Sequence, residues 1–322
     1  MQLQNELTER LGLRYPILCA PMGAVAGGRL AAAVSRAGGL GLIGPGYLGT
    51  DWLDAQFEAA EDVRIGVGFI TWDLARSPER LDAALAHKPA AVMLSFGDPE
   101  PFLPAIRRAG ASVLLQVQTL EAAERAAALD VDFIVAQGSE AGGHGADRGL
   151  FPLLPAVVDA VAPIPVVAAG GIADGRGLVA ALALGAHGIL VGTRFYATEE
   201  ALGHAAAKTL LVSGGGDATV RTQIFDIVRG LSWPSGFTGR ALRNAFTERW
   251  HGREANLRAA VPHEQPRYAQ AARSGDLNTA VVWAGEGIDL VHEVLPAATI
   301  VERIMREADA ALRNLTRHAP GP

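Results

Sequence analysis

The sequence predicts an α/β protein, a (β/α)8 TIM barrel with a small, mostly helical insertion domain before a C-terminal helix. Three observations carry that expectation. Eight short apolar runs occur before residue 192. Each is nearly continuous in hydrophobicity instead of alternating, as strands buried on both faces are. Helical patterns fill the gaps between runs, so the strands are expected to be parallel. Eight units fit closure into a barrel. An open doubly wound sheet usually has fewer strands and carries its glycine fingerprint after the first.

The runs are residues 17–20 (ILCA), 41–43 (GLI), 65–69 (IGVGF), 91–95 (AVMLS), 113–117 (VLLQV), 133–136 (FIVA), 166–169 (VVAA) and 188–191 (GILV). Helices are expected over 29–37, over 78–87 with Ser77 as N-cap, and over 99–109, stopping at Gly110. Further helices are expected over 120–129 behind Thr119, over 153–161, and over 175–184 between Asp174 and Gly185. Hydroxyl and carboxylate side chains at these caps can accept from the first free backbone N–H groups.

The rhythm stops near the SGGGDAT segment that begins at Ser213. Residues 1–212 are expected to form the barrel and 213–279 a small cap domain. Residues 280–322 are expected to return to the barrel, with an amphipathic helix over 298–315 closing on it.

Bulk properties narrow the class. The 322 residues suit one large domain, or one domain with a small companion, and 49% apolar content can build its core. A net charge of −6 and no basic stripe argue against nucleic acid. The opening MQLQNELTERLG is polar and amphipathic, unlike a secretory signal. The longest apolar stretch, VAPIPVVAAGGIA, is broken by Pro and Gly and is too short for a bilayer. A soluble cytoplasmic protein is expected. The single cysteine, Cys19, excludes an internal disulfide and a multi-cysteine zinc site; its apolar run makes it a core residue.

In such a barrel the chemistry lies at the carboxyl ends of the strands. After the sixth run comes QGSEAGGHG, residues 137–145. Small neighbours leave His144 open to a planar ligand, and a neutral imidazole can take a proton from a carbon acid. The plainer alternative is a loop histidine that caps a turn. His87, His204 and His251 read as surface residues. After the seventh run comes AGGIAD, from Ala169 through Gly170 and Gly171 into a helix; after the eighth comes GTRF, with Gly192 and Thr193. Backbone N–H groups freed by glycine at a helix start form a phosphate grip. One Gly-Gly pair would be an ordinary turn, but two loops at these two strands point to phosphate. The turn Ala20-Pro21-Met22-Gly23 after the first run could flank a flat ring, or be only a turn. Gln116 and Gln118 lie on one side of the fifth strand. Buried amides need partners, which a heteroatom-rich ring edge or the core itself could provide.

Together these segments resemble the nitronate monooxygenase family, formerly called 2-nitropropane dioxygenases. The resemblance rests on APMG, the glutamine-bearing fifth run, QGSEAGGHG, AAGGIAD and GTRF, and extends through WPSGFTGRALRN and VVWAGEG over nearly the whole chain. The EAGGHG string is also found in FMN-dependent enoyl-carrier-protein reductases and related NADH:quinone reductases. The resemblance implies non-covalent FMN. Gly170, Gly171, Gly192 and Thr193 would hold its phosphate, and Ala20, Met22 and Gln116 would lie along its ring. Gly142, Gly143, Gln137 and Ala169 would complete the pocket, and His144 matches the family's catalytic base. Two departures concern substrate: Thr71-Trp72 stands where many relatives have an Asn, and GAD separates His144 from the next Arg-Gly.

The expected function is oxidation of alkyl nitronates, or nitroalkanes, with O2 to a carbonyl compound and nitrite. The alternative is an NAD(P)H-dependent FMN reductase acting on quinones or enoyl thioesters. A non-catalytic phosphate-ligand sensor would leave His144 without a purpose. A nucleotide dehydrogenase of the IMP type would need a mid-chain cysteine. The partners expected are the small substrate and O2, without metal, nucleic acid or membrane, and with a homodimer as the assembly considered. Trp233, Phe237, Arg240 and Asn244 are expected near the substrate mouth, although Trp233 reads first as hydrophobic packing, and residues 283–286 are expected to approach the site.

Overall fold

The computed structural model describes residues 3–317. Its strands, in chain order, are β1 (Ile17–Cys19), β2 (Leu40–Ile43), β3 (Gly66–Ile70), β4 (Ala91–Ser95), β5 (Ser112–Val117), β6 (Phe133–Gln137), β7 (Gly143–Gly145), β8 (Val166–Ala169), β9 (Gly188–Val191), β10 (Thr219–Thr222) and β11 (Thr238–Leu242). All eight apolar runs become barrel strands. β1 to β6, β8 and β9 close in sequence order, and β9 returns to pair with β1 through Leu190 and Leu18. Every pair in the barrel is parallel.

Continuous hydrophobicity has a direct cause here. Successive side chains point to opposite faces, and both faces are buried. In β4 and β6, Met93, Phe133 and Val135 fill the barrel interior, while Val92, Leu94 and Ile134 pack outward under the helices. Leu7 and Leu11, on the helix Glu6–Leu11, join the interior layer. Cys19 is fully buried in the outer layer, as expected of a core residue.

The helix Ala297–Arg317 lies against the helices Gly28–Arg36 and Gly175–Ala183. The approach requires glycine at 175, where a methyl group would come 2.1 Å from the Ala308 nitrogen. Among the described residues no helix is long and apolar enough to cross a membrane.

Several local expectations are corrected. Ser77 is not an N-cap: the helix runs Glu79–Ala86 behind Pro78, and Ser77 offers its carbonyl, not its hydroxyl, to the backbone N–H and the side-chain Nε of Arg80. The helix expected over 99–109 is confined to Leu103–Arg108, because the Asp98 carboxylate holds residues 98–100 in a turn. The helix expected from 153 begins at Leu150, whose N–H donates to both Glu140 carboxylate oxygens at 2.9 Å. A distant carboxylate thus supplies the cap that no neighbouring side chain offers.

Beyond the barrel, the helices Ile224–Arg229, Ala245–Trp250 and Glu254–Ser274 share a core of Phe225, Phe246, Trp250, Leu257 and Tyr268. This region also contains strands. β10 and β11 pair antiparallel, and β11 pairs with β7 so that Gly239 faces His144. The histidine segment is therefore the outer strand of the small sheet. Residues 280–284 add no strand to the barrel; Trp283 makes one antiparallel bridge to Ala241.

Candidate active site

A cavity of about 440 Å³ opens at the carboxyl ends of the barrel strands. That volume lies within the range of roughly 300–1,000 Å³ typical of small-molecule sites. His144 and all eleven residues expected around a cofactor (Ala20, Met22, Gln116, Gln137, Gly142, Gly143, Ala169, Gly170, Gly171, Gly192 and Thr193) border it. They come from five barrel strand ends and β7, so closure of the barrel is what brings them together.

Gln137 ties the barrel to the histidine segment. It ends β6 on the parity of Phe133 and Val135, facing inward. Its side-chain oxygen accepts from Gln116 at 3.0 Å and from Gln118 at 2.9 Å, and its amide donates to the His144 carbonyl at 3.0 Å. Buried amides are thereby satisfied within the protein. Gln118 is buried and does not border the cavity, so its role is this bond, whereas Gln116 does both.

His144 has two neighbours that local sequence did not reveal. Its Nε2 lies 2.9 and 3.0 Å from the two carboxylate oxygens of Asp226, on the helix Ile224–Arg229. Its ring is stacked on Trp233, with centroids 3.4 Å apart and planes 3° apart. The two side chains of the His–Asp pair are only 9% and 4% exposed. Nδ1 has no hydrogen-bond partner among the described residues, and it is not one of the sealed, unpartnered polar atoms. Burial pushes the imidazole below its ordinary value of 6.5; the Asp226 hydrogen bond and charge oppose this, and the Arg229 and Arg221 charges add to the lowering. Desolvation disfavours the imidazolium more than one carboxylate restores it.

Trp233 is more than packing. Its Nε1 donates to the Tyr47 hydroxyl at 2.9 Å, and its ring meets Trp72, Phe96 and Phe237 edge-on. Tyr47, Phe96 and Trp233 border the cavity. Burial raises the Tyr47 hydroxyl to about 12, leaving it protonated near neutral pH.

The glycines divide into two kinds. A methyl at Gly142 would collide with the Ala284–Gly285 backbone at 2.6 Å, and one at Gly170 (φ +111°) would crowd the Gly138 carbonyl at 3.1 Å. Protein packing alone requires those two. A methyl at Gly192 would meet only Ala20 and Met22, at 3.7 and 3.8 Å; one at Gly143 would meet nothing, although the left-handed backbone there (φ +72°) itself favours glycine. Both positions lie open along the cavity wall.

The cap expected at Asp174, after the seventh-strand loop, is present. The N-terminus of the helix Gly175–Ala183 is closed by the protein: Asp174 accepts from the N–H groups of Arg176 and Gly177, and Glu307 from that of Gly175. A negative cap already occupies the place an anion would take. Gly170 and Gly171, ahead of that helix, remain on the cavity wall.

The other residues expected at the mouth take different places. Asn244 caps the helix Ala245–Trp250 and donates to the carbonyls of Leu277 and Ala280. Arg240 donates to the Ser139 carbonyl and pairs with Glu286, fixing the loop before His144. Trp283 borders the cavity, and its ring centroid lies 5.1 Å from that of His144. Thr71 and Trp72, at the point of departure from the family pattern, each bury a polar side-chain atom without a partner. His87, His204 and His251 are exposed. Asp226, Tyr47 and Arg229 were not singled out by sequence; a charged pair three apart within the apolar run IFDIVR was the available signal.

A (β/α)8 barrel with a buried His–Asp pair at the mouth of a deep, largely apolar cavity has the layout of an enzyme. The nitronate monooxygenase family model matches residues 4–69 and 68–307, and the chain belongs to that family. It is 36% identical to the nitronate monooxygenase of Metarhizium robertsii, over 98% of this chain and 99% of that one. Among solved structures it resembles FabK from Thermotoga maritima, with TM-score 0.85 and 30% identity over 98% of this chain and 100% of that one. It also resembles the nitroalkane oxidase from Streptomyces ansochromogenes, with TM-score 0.80 and 31% identity over 97% and 100%. The chain is accordingly an oxidoreductase of a flavin-dependent class.

Proposed function

We propose that this enzyme oxidises alkyl nitronates with O2 to a carbonyl compound and nitrite, using non-covalently bound FMN, with His144 as its acid/base. The observation that carries this reading is the state of His144: a buried imidazole held by Asp226 through Nε2, with Nδ1 left free, on the wall of a cavity lined by glycines.

The residues fit FMN. Ala20, Met22 and Ala169 offer a flat apolar surface, Gln116 an amide edge, and Gly170, Gly171, Gly192 and Thr193 a small-residue loop region for the phosphate. With the helix start at Gly175 already capped, the amides ahead of it would carry that grip. When bound, the flavin supplies the redox chemistry that a side chain cannot.

The chain's own contribution is position and proton control. Nε2 donates its proton to Asp226, which fixes the tautomer and leaves the Nδ1 lone pair for a substrate proton. Burial favours the neutral ring, the form needed to accept the α-proton of a nitroalkane. A substrate that arrives as the nitronate needs no such transfer, and His144 then orients it. The aromatic wall of Tyr47, Phe96 and Trp233 restricts water.

The test is nitrite release from propionate 3-nitronate and 2-nitropropane by the FMN-loaded enzyme. Nitrite is expected from at least one, with a large loss in His144→Ala. No nitrite from either would reject the proposal. The likeness to FabK supports a second reading, an NAD(P)H-dependent reductase on the same site. Rapid anaerobic bleaching of the flavin by NADH or NADPH would favour it; slow or absent bleaching favours nitronate oxidation.

A further inference from the structure

Among the described residues that border the cavity, Arg229 alone carries a permanent charge, and no Asp or Glu borders it. Arg229 closes the helix Ile224–Arg229 and is half-buried. Its guanidinium carbon lies 5.3 Å from the centroid of the Tyr47 ring. No hydrogen bond or ion pair to its guanidinium is present among the described residues. The nearest acid along the helix, Asp226, is committed to His144.

Two independent links place this cation beside the reacting imidazole. Asp226, one turn earlier on the same helix, holds His144 Nε2. Trp233, stacked on His144, donates to the hydroxyl of the same Tyr47 over which Arg229 lies. Tyr47, under Arg229, follows β2, whereas Gly170 and Gly171 follow β8 and Gly192 follows β9. In the closed order β1-β2-β3-β4-β5-β6-β8-β9, β1 separates β2 from β9, so the cation and the glycine loops stand at different strand ends.

We propose that Arg229 is the anion receptor of the cavity, gripping the paired oxygens of a planar oxyanion, the nitronate itself, beside His144. The inference rests on the nitronate reading and deepens it. A guanidinium offers two parallel N–H donors that match two oxygens on one planar centre. A neutral nitroalkane spreads less charge onto those oxygens and gains less from them. The tyrosine face holds the guanidinium without neutralising it, because a ring quadrupole attracts a cation but carries no net charge. Arg229 thereby biases the site toward substrate that has already lost its proton, and His144 then serves mainly to orient it.

The experiment uses FMN-loaded enzyme and two unreactive probes of one shape, benzoate and benzamide, with binding read by calorimetry and by the shift of the flavin spectrum. Wild type is expected to bind benzoate on the order of tenfold or more tightly than benzamide. Arg229→Met should erase that preference while leaving FMN affinity unchanged, and Arg229→Lys should keep part of it. With nitronate and nitroalkane as substrates, Arg229→Met should raise KM for the nitronate far more than for the nitroalkane. No benzoate preference in wild type would overturn the proposal. So would a preference that survives Arg229→Met, or FMN affinity that falls while the preference stays, which would assign the residue to the cofactor phosphate. If Arg229→Met does not fold, Arg229→Gln decides by the same comparison. Benzoate preference without nitrite from any nitronate would reject nitronate oxidation and leave the anion receptor standing.

Discussion

The Nε2 of His144 lies within 3.0 Å of both carboxylate oxygens of Asp226, a residue 82 positions later in the chain. The contact crosses from the barrel's sixth loop to the cap, so the cap fixes the orientation of the proposed base. Asp226→Asn keeps the shape but can offer its NH2 to Nε2 and reverse the tautomer. Nitrite turnover from a neutral nitroalkane, which needs the proton transfer, is expected to fall on the order of tenfold or more. A crystal structure of the variant should show His144 Nδ1 re-aimed or re-partnered. Unchanged turnover would remove Asp226 from the mechanism.

The pH profile provides a test with two opposite signs. Burial lowers the imidazole from 6.5, and Asp226 works against that. The acid limb of kcat/KM for a neutral nitroalkane should therefore fall below pH 6.5 in wild type. Asp226→Asn removes a raising influence and should move the limb lower. Trp233→Leu removes cover from the ring, weakens the desolvation, and should move it higher. Two shifts in the same direction would contradict this account.

The same titration predicts a stability effect. His144 in the folded protein has its proton affinity lowered, so the unfolded chain binds the proton more readily. Its contribution is present above the unfolded value of 6.5 and is lost as the pH falls through the lower folded value. The melting temperature should decline across that window, and His144→Gln should flatten the decline. The check is a thermal melt series between about pH 5 and 8. An equal decline in the variant would assign the acid sensitivity to other groups.

Gly192 separates cofactor binding from folding. Its backbone φ is −105°, and a methyl group there meets protein atoms only at ordinary distance. Gly192→Ala should leave the melting temperature of the flavin-free protein unchanged. Because that methyl would project into the proposed phosphate region, FMN affinity should drop about tenfold or more. Fluorescence titration with FMN measures the change, and undiminished affinity would move the phosphate elsewhere.

Gln137 is expected to matter through its three bonds. Gln137→Leu leaves the amides of Gln116 and Gln118 and the His144 carbonyl without their partner. A loss of about 2 kcal/mol or more follows from stranded buried polar groups. Urea unfolding reads it directly. A loss under about 0.5 kcal/mol, the scale of a neutral surface change, would mean that water replaces the bonds.

The strands were legible because their signal is local: runs such as VLLQV and FIVA are apolar throughout, as barrel strands buried on both faces must be. The glycine loops and His144 were legible because the small residues are consecutive. Helix starts were less so. Ser77 has the right chemistry for a cap and does not serve as one, while Leu150 is capped by Glu140, ten residues away. Trp233 gave no sign in its own segment of whether it packs against helix or imidazole.

The sequence by itself determined the barrel, its strand order, and His144 with the eleven residues expected beside it on the cavity wall, since periodicity and strand ends depend on near neighbours. Only the tertiary structure decided which carboxylate faces His144, which ring covers it, and that Arg229 has no paired acid among the described residues. Those relationships join the barrel to a cap that folds over it from far along the chain. Hydrogen bonds and ring stacking act over a few ångströms of space, and no local pattern encodes that distance.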